Sequence, residues 1–172
     1  MSNFLNKILL TVVLTLFLFS VHADEKDSIN NHQYNFYTGN FDFSDHKQKA
    51  ILFGFQHQNE NFERKTFLGN ASPITGGFIT ENSAAYIYTG VEWNHNMGGK
   101  MTLTPSFTPG LYTEGDGKDL GHVVEFKTEI QASYAISEGS SFGLSYNHIS
   151  NASLGSKNPG ANSYMFNFLK NF

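Results

Sequence analysis

Apolar and polar residues alternate with a period of two along most of this chain. That spacing sends successive side chains to opposite faces of a strand. Over 49–58, Ile51, Phe53 and Phe55 oppose Gly54, Gln56 and Gln58. Over 84–94, Ile87, Val91 and Trp93 share one face and Glu92 takes the other, and over 100–108 Met101, Leu103, Pro105 and Phe107 oppose Thr102, Thr104 and Ser106. The clearest run is 123–136, where Val124, Phe126, Ile130, Ala132, Tyr134 and Ile136 face away from Glu125, Lys127, Glu129, Gln131 and Ser133. Weaker patterns predict strands over 34–43, whose phase is ambiguous between Tyr34/Phe36 and Tyr37/Phe41/Phe43, and over 62–69. From Phe142 to Phe172 the chain reads as a strand, a Gly/Asn/Pro loop and a last strand, which brings the expected total to eight.

Between these runs lie turn signals. The segment 70–83 carries Pro73 and Gly76-Gly77 and reads as a long loop with ragged strand at its edges. Pro105 lacks the ladder donor, so irregular pairing is expected there. The loop Thr113-Glu114-Gly115-Asp116-Gly117-Lys118-Asp119 is rich in oxygen ligands but misses the spacing of a calcium loop, and reads as solvated. Connections after the second, fourth and sixth strands are short and those after the third, fifth and seventh are long, but that after the first is short too, so the alternation is imperfect.

Three charges and a glutamine on one face of the 123–136 strand cannot all be buried in a sandwich core. They can line the interior of a small barrel and pair with one another while the apolar face meets lipid. The alternation of short turns with longer loops fits the same architecture. The expected fold is therefore all-β, an eight-stranded antiparallel transmembrane β-barrel. A leader precedes it: Lys7 is followed by an apolar run from Ile8 to Phe19, too short to span a bilayer as a helix, and Val21-His22-Ala23 offers a cleavage site. The domain reading is thus 1–23 signal peptide and 24–172 barrel in a bacterial outer membrane.

Composition narrows the function. The whole chain carries a net charge of −4, and loss of Lys7 with the leader makes the mature protein more acidic, which argues against a nucleic-acid partner. There is no cysteine, so no disulfide scaffold. His32, His46, His57, His95 and His122 show no ligand spacing, and neither a metal nor a cofactor is expected. Asn70-Ala71-Ser72 and Asn151-Ala152-Ser153 match a glycosylation sequon, which a bacterial barrel does not use.

Chemistry concentrates near the chain's end. His148 and Ser150, two apart, point the same way as Phe142, Leu144 and Tyr146, and Asn162 has the phase of Tyr164, Phe166 and Phe168. Three polar groups thus converge on the lipid-facing side near the outer rim, where a substrate would be a lipid of the outer leaflet. At Tyr146-Asn147-His148-Ile149-Ser150-Asn151-Ala152 and Asn158-Pro159-Gly160 the chain resembles the PagL family of lipid A 3-O-deacylases, and Leu103-Thr104-Pro105-Ser106-Phe107 and Gly115 to Gly121 look like that family too. The resemblance implies that Ser150 is the nucleophile on the ester of a 3-hydroxyacyl chain and His148 its base. It also implies lipid A or lipopolysaccharide as the partner. Asn151, Asn158 or loop amides around Ser153 to Gly155 are candidate oxyanion donors or supports. Where the best-known members carry an acidic residue to orient the histidine, this chain has Asn162, whose amide oxygen can accept the Nδ1 hydrogen but brings no charge. Two rivals stand beside this reading: a non-catalytic structural or binding barrel, and an outer-membrane phospholipid hydrolase. Oligomeric state is not readable from the sequence.

Overall fold

The structure, a computed structural model, describes residues 32–45 and 48–172; the leader over 1–23, the polar segment after it and His46 lie outside the described residues. Eight long strands form the wall: β1 His32–Phe41, β2 Ala50–Asn59, β3 Gly69–Thr80, β4 Ala85–Trp93, β5 Met101–Thr113, β6 Val124–Ser137, β7 Ser140–Ser150 and β8 Ala161–Asn171. Each pairs antiparallel with its neighbours in sequence, and β1 also pairs with β8 (Phe36 opposite Phe168), so the sheet closes with no free edge. A lower rim holds His32, Asn171 and the connections 60–68, 94–100 and 138–139. The upper rim holds 42–45, 48–49, 81–84, 114–123 and 151–160.

Alternation sorts the side chains as the sequence requires. Ile51, Phe53, Ile87, Leu111, Leu144 and Phe166 stand exposed on the outer wall. So large an apolar surface would aggregate in water, and a bilayer is its natural solvent. The ambiguous first strand resolves with Tyr34 and Phe36 outward and Tyr37 and Phe41 inward.

Inside, the barrel has two storeys. The lower one is polar: Lys127 Nζ meets Glu129 Oε2 at 2.8 Å, Gln56 Nε2 donates to Glu92 Oε2 at 2.9 Å, and Asn35 Nδ2 donates to Asn167 Oδ1 at 3.0 Å. The upper one is an aromatic and aliphatic plug that includes Phe41, Leu52, Phe78, Tyr86, Ile149 and Met165. Its tyrosines are satisfied: Tyr86 Oη donates to Thr108 O at 2.7 Å and Tyr37 Oη to Gly77 O at 3.0 Å. The polar lining predicted from β6 is therefore real, but it fills only part of the barrel's height.

Two sequence expectations fail. The segment 70–83, expected to be a long loop with ragged strand only at its edges, is mostly β3. The expected strand over 62–69 is instead a turn: a 3₁₀ turn Glu60–Phe62 and a short strand Arg64–Thr66 folded back on the start of β3. Gly76 and Gly77 are in β3 because the barrel needs space there. A Cβ on Gly76 would meet Tyr88 Oη at 2.8 Å, and one on Gly77 would meet Tyr86 O at 2.7 Å. The two glycines make room for neighbouring strands and do not mark a turn. In consequence the connection after β3 is the shortest on the upper rim and that after β2 is long, so loop lengths do not alternate as expected. Pro105 behaves as predicted on one side only. Pairing with β4 stops at Ser106 and resumes at Leu103 with the short strand His95–Asn96, while the β6 ladder runs straight through, Pro105 opposite Ile130.

Candidate active site

Strands β7 and β8 carry the site because their inward residues are set in the plug. Ile149, between His148 and Ser150, and Ala161, beside Asn162, are fully buried and face each other across the ladder. The pleat then throws His148, Ser150 and Asn162 outward at the upper rim, with His148 and Asn162 directly opposite one another. Across the other ladder Ser150 lies opposite Phe126, whose ring stacks on Phe107 at 6.1 Å. The serine thus stands between an imidazole and an apolar wall.

His148 Nδ1 donates to Asn162 Oδ1 at 2.9 Å. Since the amide oxygen can only accept, the imidazole proton is on Nδ1 and the lone pair is on Nε2. The same oxygen takes a second bond from Tyr146 Oη at 2.8 Å. Gly160, at φ +63°, lies against the ring: a Cβ there would meet His148 Cε1 at 2.8 Å and Nε2 at 3.3 Å. The hydroxyl of Ser150 is on the same face, and no hydrogen bond joins it to the imidazole in this structure. Below the site Tyr146, Tyr164 and Phe43 form an aromatic step, with Phe43 and Tyr164 centroids 4.3 Å apart. Lower still, an open groove of about 380 Å³ runs between Tyr134, Leu144 and Phe166.

Asn151 and Asn158 hold the loop after β7. Asn151 is fully buried, and its amide nitrogen donates to Leu120 O at 2.7 Å and Lys157 O at 2.9 Å, which bridges the 114–123 and 151–160 loops. Its backbone N–H donates to Asn158 Oδ1 at 3.0 Å. Ala152 and Ser153 follow with φ +51° and +64°, two consecutive left-handed residues other than glycine, which cost energy and cluster at functional sites. An exposed ion pair between Lys157 and Asp119 closes the same two loops from outside, and that lysine bond, with the Gly121 N–H, holds the Asp119 carboxyl below its usual range.

The turn after β1 supplies groups that the sequence pattern does not single out. Asp42, fully buried at φ +48°, pairs with Lys118 Nζ at 2.5 Å, and Asn162 Nδ2 reaches Ser44 Oγ at 3.4 Å. The sequence places Asp42 and Phe43 at the end of the first strand, with Ser44-Asp45 after it; the strand in fact stops at Phe41, and only closure of β1 on β8 brings the turn to the site. At the lower rim His32 Nδ1 lies 2.8 Å from His57 Nε2, a pairing likewise invisible before the strands are aligned.

The family model of lipid A 3-O-deacylase (PagL) matches residues 36–171. The chain belongs to this family. The crystal structure of the outer membrane enzyme PagL superposes with a TM-score of 0.62 at 16% identity, covering 80% of this chain and 98% of that one. A de novo designed transmembrane β-barrel (TM-score 0.58, 7% identity, 86% and 99% covered) and Neisserial surface protein A (0.56, 9%, 84% and 98%) share the architecture. No curated protein sequence matches. The fold is that of outer-membrane barrels, and membership in the PagL family separates the chain from those that share the barrel alone.

Proposed function

We propose that the protein is an outer-membrane esterase that removes the 3-O-linked hydroxyacyl chain of lipid A, with Ser150 as nucleophile, His148 as base and Asn162 as the group that orients the base. The observation that carries this reading is the bond from His148 Nδ1–H to Asn162 Oδ1 at 2.9 Å, on the lipid-facing side of a PagL-family barrel and two residues from Ser150.

A lipid of the outer leaflet reaches the upper rim laterally, its acyl chains along the apolar wall. Ser150 Oγ attacks the ester carbonyl as its proton passes to His148 Nε2, and the imidazolium then protonates the departing sugar oxygen, which leaves as the hydroxyl. Water, deprotonated by the same imidazole, releases the 3-hydroxy fatty acid from the acyl-enzyme. The serine bond to the histidine forms when lipid fills the site, as catalytic contacts commonly tighten only in the complex. Asn151 donates both amide hydrogens to carbonyls, so it and Asn158 act as supports of the loop, and the amides of the left-handed turn at Ala152 and Ser153 are the candidate oxyanion donors.

The test is incubation of the purified protein in detergent with lipid A, read by mass spectrometry, beside an active family member and a glycerophospholipid competitor. Loss of one hydroxyacyl chain is expected, and Ser150→Ala abolishes it while heat-modifiable migration of the barrel is kept. Intact lipid A with the control active would overturn the reading, and release from glycerophospholipid alone would redirect it to a phospholipase.

A further inference from the structure

We infer that Asp42, acting through Ser44, is the positioning charge of this site: it fixes which end of the Asn162 amide faces His148, and so which tautomer the histidine adopts.

An asparagine amide fits its pocket two ways, and the two have opposite consequences here. With Oδ1 toward His148, Nδ1 carries the proton and Nε2 is free to act as base. With Nδ2 toward His148, the amide donates to Nδ1, the proton moves to Nε2 and the base is lost. His148 and Tyr146 do not choose between them, because an imidazole nitrogen and a phenol can each donate or accept. The choice is made on the far side of the amide. Ser44 Oγ has one hydrogen, and it donates that hydrogen to Asp42 Oδ1 at 3.1 Å. A carboxylate is the stronger acceptor. Having given its proton away, Ser44 offers Asn162 only lone pairs, so the amide must turn Nδ2 toward it, at 3.4 Å, and Oδ1 toward His148. Asp42 Oδ1 also accepts the Asn162 backbone N–H at 3.3 Å, and Phe43 N–H donates to Asn162 O at 2.9 Å, which seat the residue itself.

Lys118 Nζ meets the other carboxylate oxygen at 2.5 Å and supplies the counter-charge a buried carboxylate needs, and the lysine is in turn placed by Tyr112 Oη, which donates to Lys118 O at 2.7 Å. The acid that other members of the family are expected to place on the histidine is here two residues further back, behind Asn162 and Ser44. The roles of Asp42 and Ser44 in turnover rest on the deacylase reading; their effect on the imidazole does not.

Long-range ¹H–¹⁵N spectra of the protein in detergent micelles, with His148 identified by its loss in His148→Gln, report the tautomer directly, and kinetics on lipid A report its use. The wild type shows Nδ1–H. Ser44→Ala and Asp42→Asn bring in the Nε2–H form and lower kcat roughly tenfold with KM unchanged, and Ser44→Thr, which keeps the hydroxyl, restores both. If Asp42→Asn does not fold, Ser44→Ala decides alone, since its side chain is exposed and leaves no unpaired charge. An unchanged tautomer in Ser44→Ala, or Nε2–H in the wild type, overturns the inference whatever the activity. Absence of wild-type activity with the tautomer shift intact would sink the deacylase reading alone.

Discussion

At the scale of single residues the decisive position is 162, where an amide stands between a tyrosine hydroxyl and an imidazole. In the proposed mechanism an amide orients His148 as well as a carboxylate would but lends nothing to an imidazolium formed as Ser150 loses its proton; in a chymotrypsin-type triad the equivalent exchange costs roughly 10⁴ in kcat. Asn162→Asp keeps the acceptor for both donors and adds charge, at the expense of the bond to Ser44 and of a second carboxylate near Asp42. Its turnover on lipid A is expected to equal or exceed wild type, whereas Asn162→Ala loses roughly 100-fold; a folded Asn162→Ala with full turnover would remove the residue from the mechanism. Tyr146→Phe deletes one of the two bonds on Oδ1, worth about 1 kcal/mol, and is expected to lower kcat only several-fold. How much of this was legible differs by residue. His148, Ser150 and Asn162 share one phase in the sequence, and the family resemblance, not the phase, suggests their roles. Ser44 and Asp42 carry no such signal, because they follow a strand distant in sequence and meet the site only through the β1–β8 closure.

At the scale of elements the site is a hairpin whose two strands are held from inside by Ile149, Ala161 and Met165, with a glycine at the mouth of its loop. Gly160 is required for two separate reasons, its left-handed φ and the contact a side chain would make with the imidazole. Gly160→Ala is therefore expected to cost about 1 kcal/mol of stability from backbone strain, and far more in turnover. Displacing the ring by even an ångström is worth roughly 100-fold. Kinetics alongside urea unfolding separate the two effects, and a loss of stability with kcat intact would show that the ring has room to yield. The sequence marks this position only as part of an Asn-Pro-Gly turn. The same ambiguity misleads at Gly76 and Gly77, which the sequence presents as loop residues and the barrel uses inside β3. Glycine reports that a side chain does not fit, and the partner that excludes it is known only after the strands pair.

At the scale of the whole molecule, closure turns the charged face of β6, the feature that points most directly to a barrel, into a buried network beneath the plug. Lys127 is almost wholly enclosed, with its ammonium 2.8 Å from Glu129 Oε2 and 4.2 Å from the Tyr88 ring centroid. Among the described residues the only other side chain bonded to that carboxylate is Asn147, whose Nδ2 is 3.5 Å away. Lys127→Met leaves Glu129 without its counter-charge and is expected to destabilise the barrel by about 3–5 kcal/mol, because an uncompensated buried charge costs more than the pair contributes. Exchanging both, Lys127→Met with Glu129→Gln, removes the charge problem together with the ion pair. Stability should then return close to wild type, within about 1 kcal/mol. Urea midpoints of the barrel refolded in micelles measure this, with turnover per folded molecule as a second reading that neither variant should change, since the pair lies in the barrel's interior and the site on its outer wall. Equal destabilisation of the single and double variants would mean that Lys127 acts by filling space against Tyr88 and not through its charge, and the lower storey would then be held by packing as the upper one is.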